Sequence, residues 1–191
     1  MAEIYLVRHG ETEWNAEGRF QGKLDSALTA TGIKQAEAFG RRLAKLGLQC
    51  DAFMTSPLGR TRQTATIIAG LAHLPALQYD ERIAEVSLGS WDGLTHIDID
   101  ARWPGLLDGS TPFDWFFRSP DGESYDDVLQ RAECWLNQRQ GVTVAVSHGL
   151  VGRIIRGAYS GLSRTEALSL PVPHDVIWRL SGGRIEPVSV D

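Results

Sequence analysis

"IYLVRHGETEWN", Ile4 to Asn15, decides the architecture. Four apolar residues, Ile4 to Val7, run without a polar break and stop at Arg8. Such a run fits a strand covered on both faces, as in a parallel sheet. No bland turn follows it. An arginine, a histidine and a glycine stand at the strand's carboxyl end, which is where open α/β sheets bind ligands.

Two further strands end in the same way. "CDAFMTS" (Cys50 to Ser56) runs into "PLGR", and "GVTVAVS" (Gly141 to Ser147) runs into His148 and Gly149. Between them lie helical patterns. Thr29 can cap a helix whose Ile33, Ala36, Phe39, Leu43 and Leu46 recur at helical spacing, and Gly47 can end it. Pro57 suits the first position of a helix running to about His73, with Ile67, Ile68 and Leu71 on its buried side. "ALQYD" reads as a short strand. Ser124 and Asp127 suit a capping box, and the helix after them carries Val128, Ala132, Trp135 and Leu136 on one side. A helix from Leu150 to about Tyr159 follows His148. "DVIWRL" and "RIEPVSV", joined by Ser181-Gly182-Gly183, read as a terminal hairpin. This alternation predicts a three-layer α/β/α sandwich with a mostly parallel central sheet and a site at the C-terminal ends of its strands.

The 191 residues fit one domain, 1–191. Residues 86–123 are rich in Gly, Pro and Asp, yet hold Trp91, Trp103, Phe113, Trp115, Phe116 and Phe117. They are expected to form a packed excursion over the active site, with most tryptophans in its core and one or two at a substrate mouth. A net charge of −5 argues against a nucleic-acid partner. Cys50 and Cys134 make neither a disulfide framework nor a zinc pattern. No basic leader precedes the first strand, and no run approaches the ~18 apolar residues of a membrane span. The expectation is a cytoplasmic protein, monomer or homodimer, with no membrane and no cofactor.

Together the three strand ends carry Arg8, His9, Ser56, Arg60, His148 and Gly149. Two arginines and two histidines at one edge make a site for an anion, since the guanidinium fork matches phosphate oxygens in pairs. The helix N-terminus after His148 adds free backbone N–H groups. A neutral imidazole can attack phosphorus, and a second, protonated histidine can help hold the oxygens. The leaving alcohol needs a proton, for which Glu85 is the best-placed carboxylic acid, ahead of Asp80 and Glu81. Ser56 can cap the helix after it and also reach phosphate. His73, His96 and His174 are assigned to exposed or packing positions.

"LVRHGETEWN", "TSPLGRTRQTA", "IAEVSLGSWDGL", "PDGES" and "VSHG", in that order, resemble the histidine phosphatase superfamily. The resemblance implies that His9 is the phosphorylated nucleophile and that Arg8, Arg60 and His148 clamp the phosphoryl oxygens. It implies that Asn15 and Gln21 reach the phosphate and that Glu85 donates the proton and then activates water. It also implies metal-independent chemistry on a small phosphomonoester. Within that group the stretch Glu85 to His96 departs from the phosphoglycerate mutases, whose tyrosine and lysine are here Leu88 and His96. The mutases' arginine pair has no counterpart between Asp98 and Pro120. The closer resemblance is to small phosphatases such as the α-ribazole phosphatases. A cofactor-dependent mutase, stimulated by a bisphosphorylated primer, is the alternative. A silent phospho-ligand-binding module, binding phosphate without turnover, is the third reading.

Overall fold

The computed structural model describes residues 2–190. Six strands, β1 (Glu3–Arg8), β2 (Ala52–Thr55), β3 (Leu77–Tyr79), β4 (Val142–Ser147), β5 (Val176–Ser181) and β6 (Arg184–Ser189), form one sheet. Its order is β3-β2-β4-β1-β5-β6. The first four strands are mutually parallel, and the β5–β6 hairpin adds antiparallel to β1. The expected fold class is therefore the observed one.

Period-two alternation sends side chains of one strand into two separate cores. Ile4, Leu6, Met54 and Ala145 pack on one face. Tyr5, Val7, Phe53, Val144 and Val146 pack on the other. Helices α2 (Ala30–Leu46) and α3 (Gly59–Ala69) cover the second face. Helices α5 (Tyr125–Asn137), α6 (Gly149–Ser160) and α7 (Arg164–Ser169) cover the first, while α1 (Glu13–Ala16) and α4 (His96–Arg102) are short pieces of the loops above the sheet.

Local chemistry explains the boundaries. The Thr29 hydroxyl accepts the Gly32 N–H at 3.0 Å, and Gly47 closes α2 in the left-handed region at φ 59°. Ala36, Phe39 and Leu43 are buried on it, whereas Ile33 stays 37% exposed at the edge of the apolar face. Helix α3 begins at Gly59, two residues after Pro57, because its first N–H groups are claimed from elsewhere. The Asp25 carboxylate accepts from Gly59 at 2.7 Å and from Arg60 at 3.1 Å. The helix stops at Ala69, short of His73, and Ile68 is buried while Leu71 is 43% exposed.

The excursion is less irregular than its composition predicts. Thr95 starts α4 with a full capping box to Asp98. Trp91 and Trp115 are buried and stacked, with ring centroids 6.2 Å apart. Its ends are tied together: the Glu123 N–H donates to the Ser87 carbonyl at 2.9 Å, and the Ser87 N–H returns to the Glu123 carboxylate at 2.8 Å. No helix among the described residues is long and apolar enough to cross a membrane.

Candidate active site

Register brings the two histidines together. Arg8 pairs with Ser147 across β1 and β4, so the next residues, His9 and His148, emerge side by side. Their ring centroids lie 5.3 Å apart. Thr55 on β2 pairs with Val146, which places Ser56 beside the same two residues. The Ser56 hydroxyl is 2.8 Å from His148 Nε2.

His9 is 2% exposed. Its Nδ1 lies 2.7 Å from the Gly10 carbonyl oxygen. A carbonyl can only accept, so Nδ1 carries the hydrogen and the lone pair of the neutral ring sits on Nε2. Arg60 Nε donates to that Nε2 at 3.3 Å. Burial, and after it the Arg60 and Arg8 charges, hold His9 well below the usual histidine range. The ring is therefore neutral at pH 7. Burial and Arg60 do the same to His148, so in the unliganded site the second histidine is neutral as well. The proton expected on the second histidine therefore belongs to the anion-bound site: a buried imidazole beside two guanidinium groups cannot hold a second positive charge without an anion present.

The cations are built in firmly. Arg60, 1% exposed, donates to the Gly22 carbonyl at 2.9 Å, the Leu24 carbonyl at 2.6 Å and the Asp25 carboxylate at 2.9 Å. Arg8 donates to the Val172 carbonyl, and burial lowers its pKa to about 10, so it stays charged. Gly149, at the start of α6, lies directly against it: a Cβ there would stand 3.4 Å from Arg8 Cζ.

Glu85, the residue just before the excursion, reaches the same edge. Its carboxylate accepts the Val86, Leu150 and Val151 N–H groups at 3.0, 3.3 and 3.0 Å. Leu150 and Val151 belong to the first turn of α6, where the helix end favours an anion. Arg131 holds the backbone that presents Glu85. It donates to the carbonyls of Arg82 and Ala84 at 2.7 and 2.8 Å, and Glu123 grips it at 3.0 Å. Asp80 forms an ion pair with Arg82 at 2.6 Å instead of facing the site.

A cavity of about 490 Å³ opens onto this group. Of the expected site residues, Arg8, His9, Asn15, Gln21, Arg60, Glu85 and Gly149 line it. Asn15 Oδ1 accepts from the Thr12 backbone at 3.2 Å, and Gln21 donates to the Thr12 hydroxyl at 2.8 Å, so both are fixed on one small turn. Ser56 and His148 do not line this cavity; they stand behind His9. The α3 N-cap position is Leu58, and the Ser56 hydroxyl takes the Leu58 N–H at 3.3 Å while contacting His148.

Several neighbours escape the sequence reading. His174 is no packing residue: its Nδ1 donates to the His9 carbonyl at 2.8 Å, and burial lowers its pKa to about 4. His96, although exposed, lines the cavity and stands 4.2 Å from the Trp115 ring. The aromatic mouth is made by Phe20 and Phe116, not by a tryptophan. Arg153 lines the cavity four residues after Gly149, one helical turn along the same face. That spacing is the one signal that could have found it. Asp25 and Arg131 act through contacts distant in sequence and leave no local signal. Among the described residues no cluster of three or more His, Cys, Asp or Glu could hold a metal ion.

Known proteins resemble this chain in sequence and fold. The family model described as histidine phosphatase superfamily (branch 1) matches residues 4–185. A protein of Citrobacter koseri called probable phosphoglycerate mutase GpmB is 38% identical over 164 residues, 78% of this chain and 71% of that one. The solved structure of YhfR from Bacillus stearothermophilus superposes with a TM-score of 0.82 at 32% identity, covering 99% of this chain and 96% of that one. A mycobacterial glucosyl-3-phosphoglycerate phosphatase superposes with a TM-score of 0.73 at 29% identity, covering 98% and 96%.

Proposed function

The chain belongs to the histidine phosphatase superfamily, and we propose that within it the protein is a metal-independent phosphomonoester hydrolase working through phospho-His9. One observation carries the reading. The Gly10 carbonyl fixes the His9 proton on Nδ1, which leaves a neutral, nucleophilic Nε2 between two arginines on the wall of an open cavity.

In the first step the Nε2 lone pair attacks phosphorus. A P–N bond forms and the bond from phosphorus to the ester oxygen breaks. Arg8 and Arg60 neutralise the charge on the phosphoryl oxygens, and His148 supports them once the bound anion permits it a proton. Glu85 gives the leaving oxygen its proton, so the product departs as an alcohol. In the second step Glu85 takes a proton from water, the water oxygen attacks phosphorus, the P–N bond breaks and phosphate leaves. Asn15 and Gln21 hold the phosphate from the opposite turn.

A second reading, the cofactor-dependent phosphoglycerate mutase, is favoured by the 38% identity to a protein called probable phosphoglycerate mutase. Against it, Leu88 and His96 line the cavity where that reading needs a tyrosine and a lysine. Hydrolysis is the better fit because neither residue would retain a phosphoglycerate for re-phosphorylation.

The test is turnover of a simple aryl phosphate in excess EDTA by wild type and His9→Ala. The expected result is steady hydrolysis by wild type and a loss of at least about 10³-fold in the variant. Transfer between phosphoglycerates that outruns hydrolysis and needs a bisphosphorylated primer would favour the mutase. Phosphate binding without either activity would leave a binding module.

A further inference from the structure

A second, much smaller cavity of about 10 Å³ lies between the sheet and α6, with Leu6 and Trp178 on the sheet side and Gly152 on the helix. His9, Arg60 and Glu85 do not line it, and it shares only Arg8, Gly149 and Val172 with the cavity above. Its polar side chains are those of Arg8, His148 and Arg156. Each of the three has one buried nitrogen with no hydrogen-bond partner among the described residues: Arg8 Nε, His148 Nδ1 and Arg156 Nη1. Buried polar groups are rarely left unpaired, so three such nitrogens around one cavity point to a shared ligand.

All three are donors. The guanidinium nitrogens can only donate. For His148 the neighbouring Ser56 settles the matter. The Ser56 hydroxyl accepts the Leu58 N–H at 3.3 Å, and its own hydrogen has no acceptor among the described residues other than His148 Nε2 at 2.8 Å. Nε2 therefore accepts, and the hydrogen of the neutral ring sits on Nδ1.

Size and charge then select the ligand. A space of about 10 Å³ holds one water or one monoatomic ion and excludes phosphate and carboxylates. A water brings two lone pairs to three donors and leaves one unpaired, whereas a halide accepts from all three. Arg156 is 1% exposed. Its Nε donates to the Gly152 carbonyl at 3.1 Å and its Nη2 to the Pro171 carbonyl at 2.6 Å, while the Trp178 ring stands 4.4 Å from its Cζ. Burial, and after it Arg153, lower its pKa to about 10, so it stays charged at pH 7. No salt bridge pairs Arg156 or Arg8 with a carboxylate among the described residues. A buried charge without a counter-ion is costly, and an anion between the two guanidinium groups removes that cost.

We propose that this cavity is a binding site for one monoatomic monovalent anion, a halide such as chloride, held by Arg8 Nε, Arg156 Nη1 and His148 Nδ1. The ion sits behind the phosphoryl clamp. It keeps the hydrogen of His148 on Nδ1 and Nε2 turned to Ser56, and it lowers the cost of a second proton on that ring. The proposal does not rest on the hydrolase reading, since a mutase or a silent binding module with these residues would hold the same ion.

The test takes crystals of the wild-type chain grown with inorganic phosphate, which fills the phosphoryl clamp, in either chloride or bromide. The expected result is an anomalous bromide peak within hydrogen-bonding reach of the three nitrogens, and a chloride at the same place in the other salt. In solution, with the same phosphate present, chlorine NMR line broadening should saturate with wild type. Arg156→Met should weaken that binding by at least about tenfold, and Arg156→Lys should keep part of it. A water at that position in both salts, or bromide found only elsewhere, would overturn the proposal. So would equal broadening by wild type and a folded Arg156→Met. The crystal result needs no variant, so a misfolded Arg156→Met would not shield the proposal.

Discussion

At the residue scale the site depends on which nitrogen of His9 holds the proton. Gly10 decides that through a carbonyl that can only accept. Glu85 is the complementary case, a carboxylate reached by three backbone N–H groups yet open to the cavity. If it protonates the leaving oxygen, its value depends on how much that oxygen needs a proton. Glu85→Gln should lower kcat/KM for an alkyl phosphate by about 10²–10³ and change it little for a nitrophenyl phosphate, whose leaving group departs as the anion, while kcat, which includes the water step, falls for both. Steady-state kinetics on the two substrates decides the matter. Equal losses of kcat/KM on both would mean that Glu85 is not the proton donor to the leaving oxygen. Ser56 works through His148. Ser56→Ala removes the hydroxyl 2.8 Å from Nε2 and should cost about tenfold in kcat with KM little changed, because a ring without that partner can rotate off its position.

At the element scale, one close approach holds the β1 exit against α2. A Cβ on Gly32 would stand 2.0 Å from the Glu11 carbonyl oxygen, and one on Gly10 would stand 2.2 Å from the Gly32 carbonyl oxygen. Both obstacles are backbone, so the loop after His9 would have to move. Gly32→Ala should therefore lower stability by about 1–3 kcal/mol in urea unfolding and depress kcat together. A stable, fully active variant would show that the loop is looser than the packing implies. The elements that position the nucleophile were legible because each rule there is local: an apolar run ending in Arg8, Thr29 and Gly47 bracketing α2, Ser147 meeting His148. Helices α4 and α7 were not, since both are short and lie in Gly- and Pro-rich surroundings where the helical period never repeats. The start of α3 was misplaced for another reason. Asp25 caps it from outside the segment, and no pattern near Pro57 reports that.

At the scale of the whole molecule, three imidazoles are kept neutral by burial: His9, His148 and His174. In the unfolded chain each takes up a proton near pH ~6.5. Their folded pKa values are lowered, so the unfolded state binds more protons below that pH. The stability they allow is present above pH ~6.5 and is lost as the pH falls, for His174 until about pH 4. Each contributes up to about 1.4 kcal/mol per pH unit inside its window. Urea midpoints of the phosphate-free protein should fall between pH 7 and pH 5, and His174→Gln should flatten the fall by about one group's share. A midpoint independent of pH would contradict burial of these rings. Inorganic phosphate should oppose the loss, since an anion makes a charged His148 tolerable.

The same scale shows how far sequence alone reaches into the site. Residues delivered by strand ends, such as Arg8, His9 and His148, could be read because sheet topology forces them to one edge. Asp25, Arg131 and His174 could not, since each acts through a backbone or side-chain contact made only when distant segments meet. His174 reaches His9 from the far end of the chain, across the strap that also receives Arg8 at Val172.

The central claim is a covalent bond from phosphorus to His9 Nε2. The direct measurement is a rapid alkaline quench of enzyme mixed with an aryl phosphate, followed by digestion and mass spectrometry of the peptide containing Arg8 and His9. The account predicts a phosphorylated, acid-labile His9 that appears within one turnover and decays at the rate of phosphate release. Phosphate carried on another residue, or turnover with no phosphoenzyme at any quench time, would contradict it.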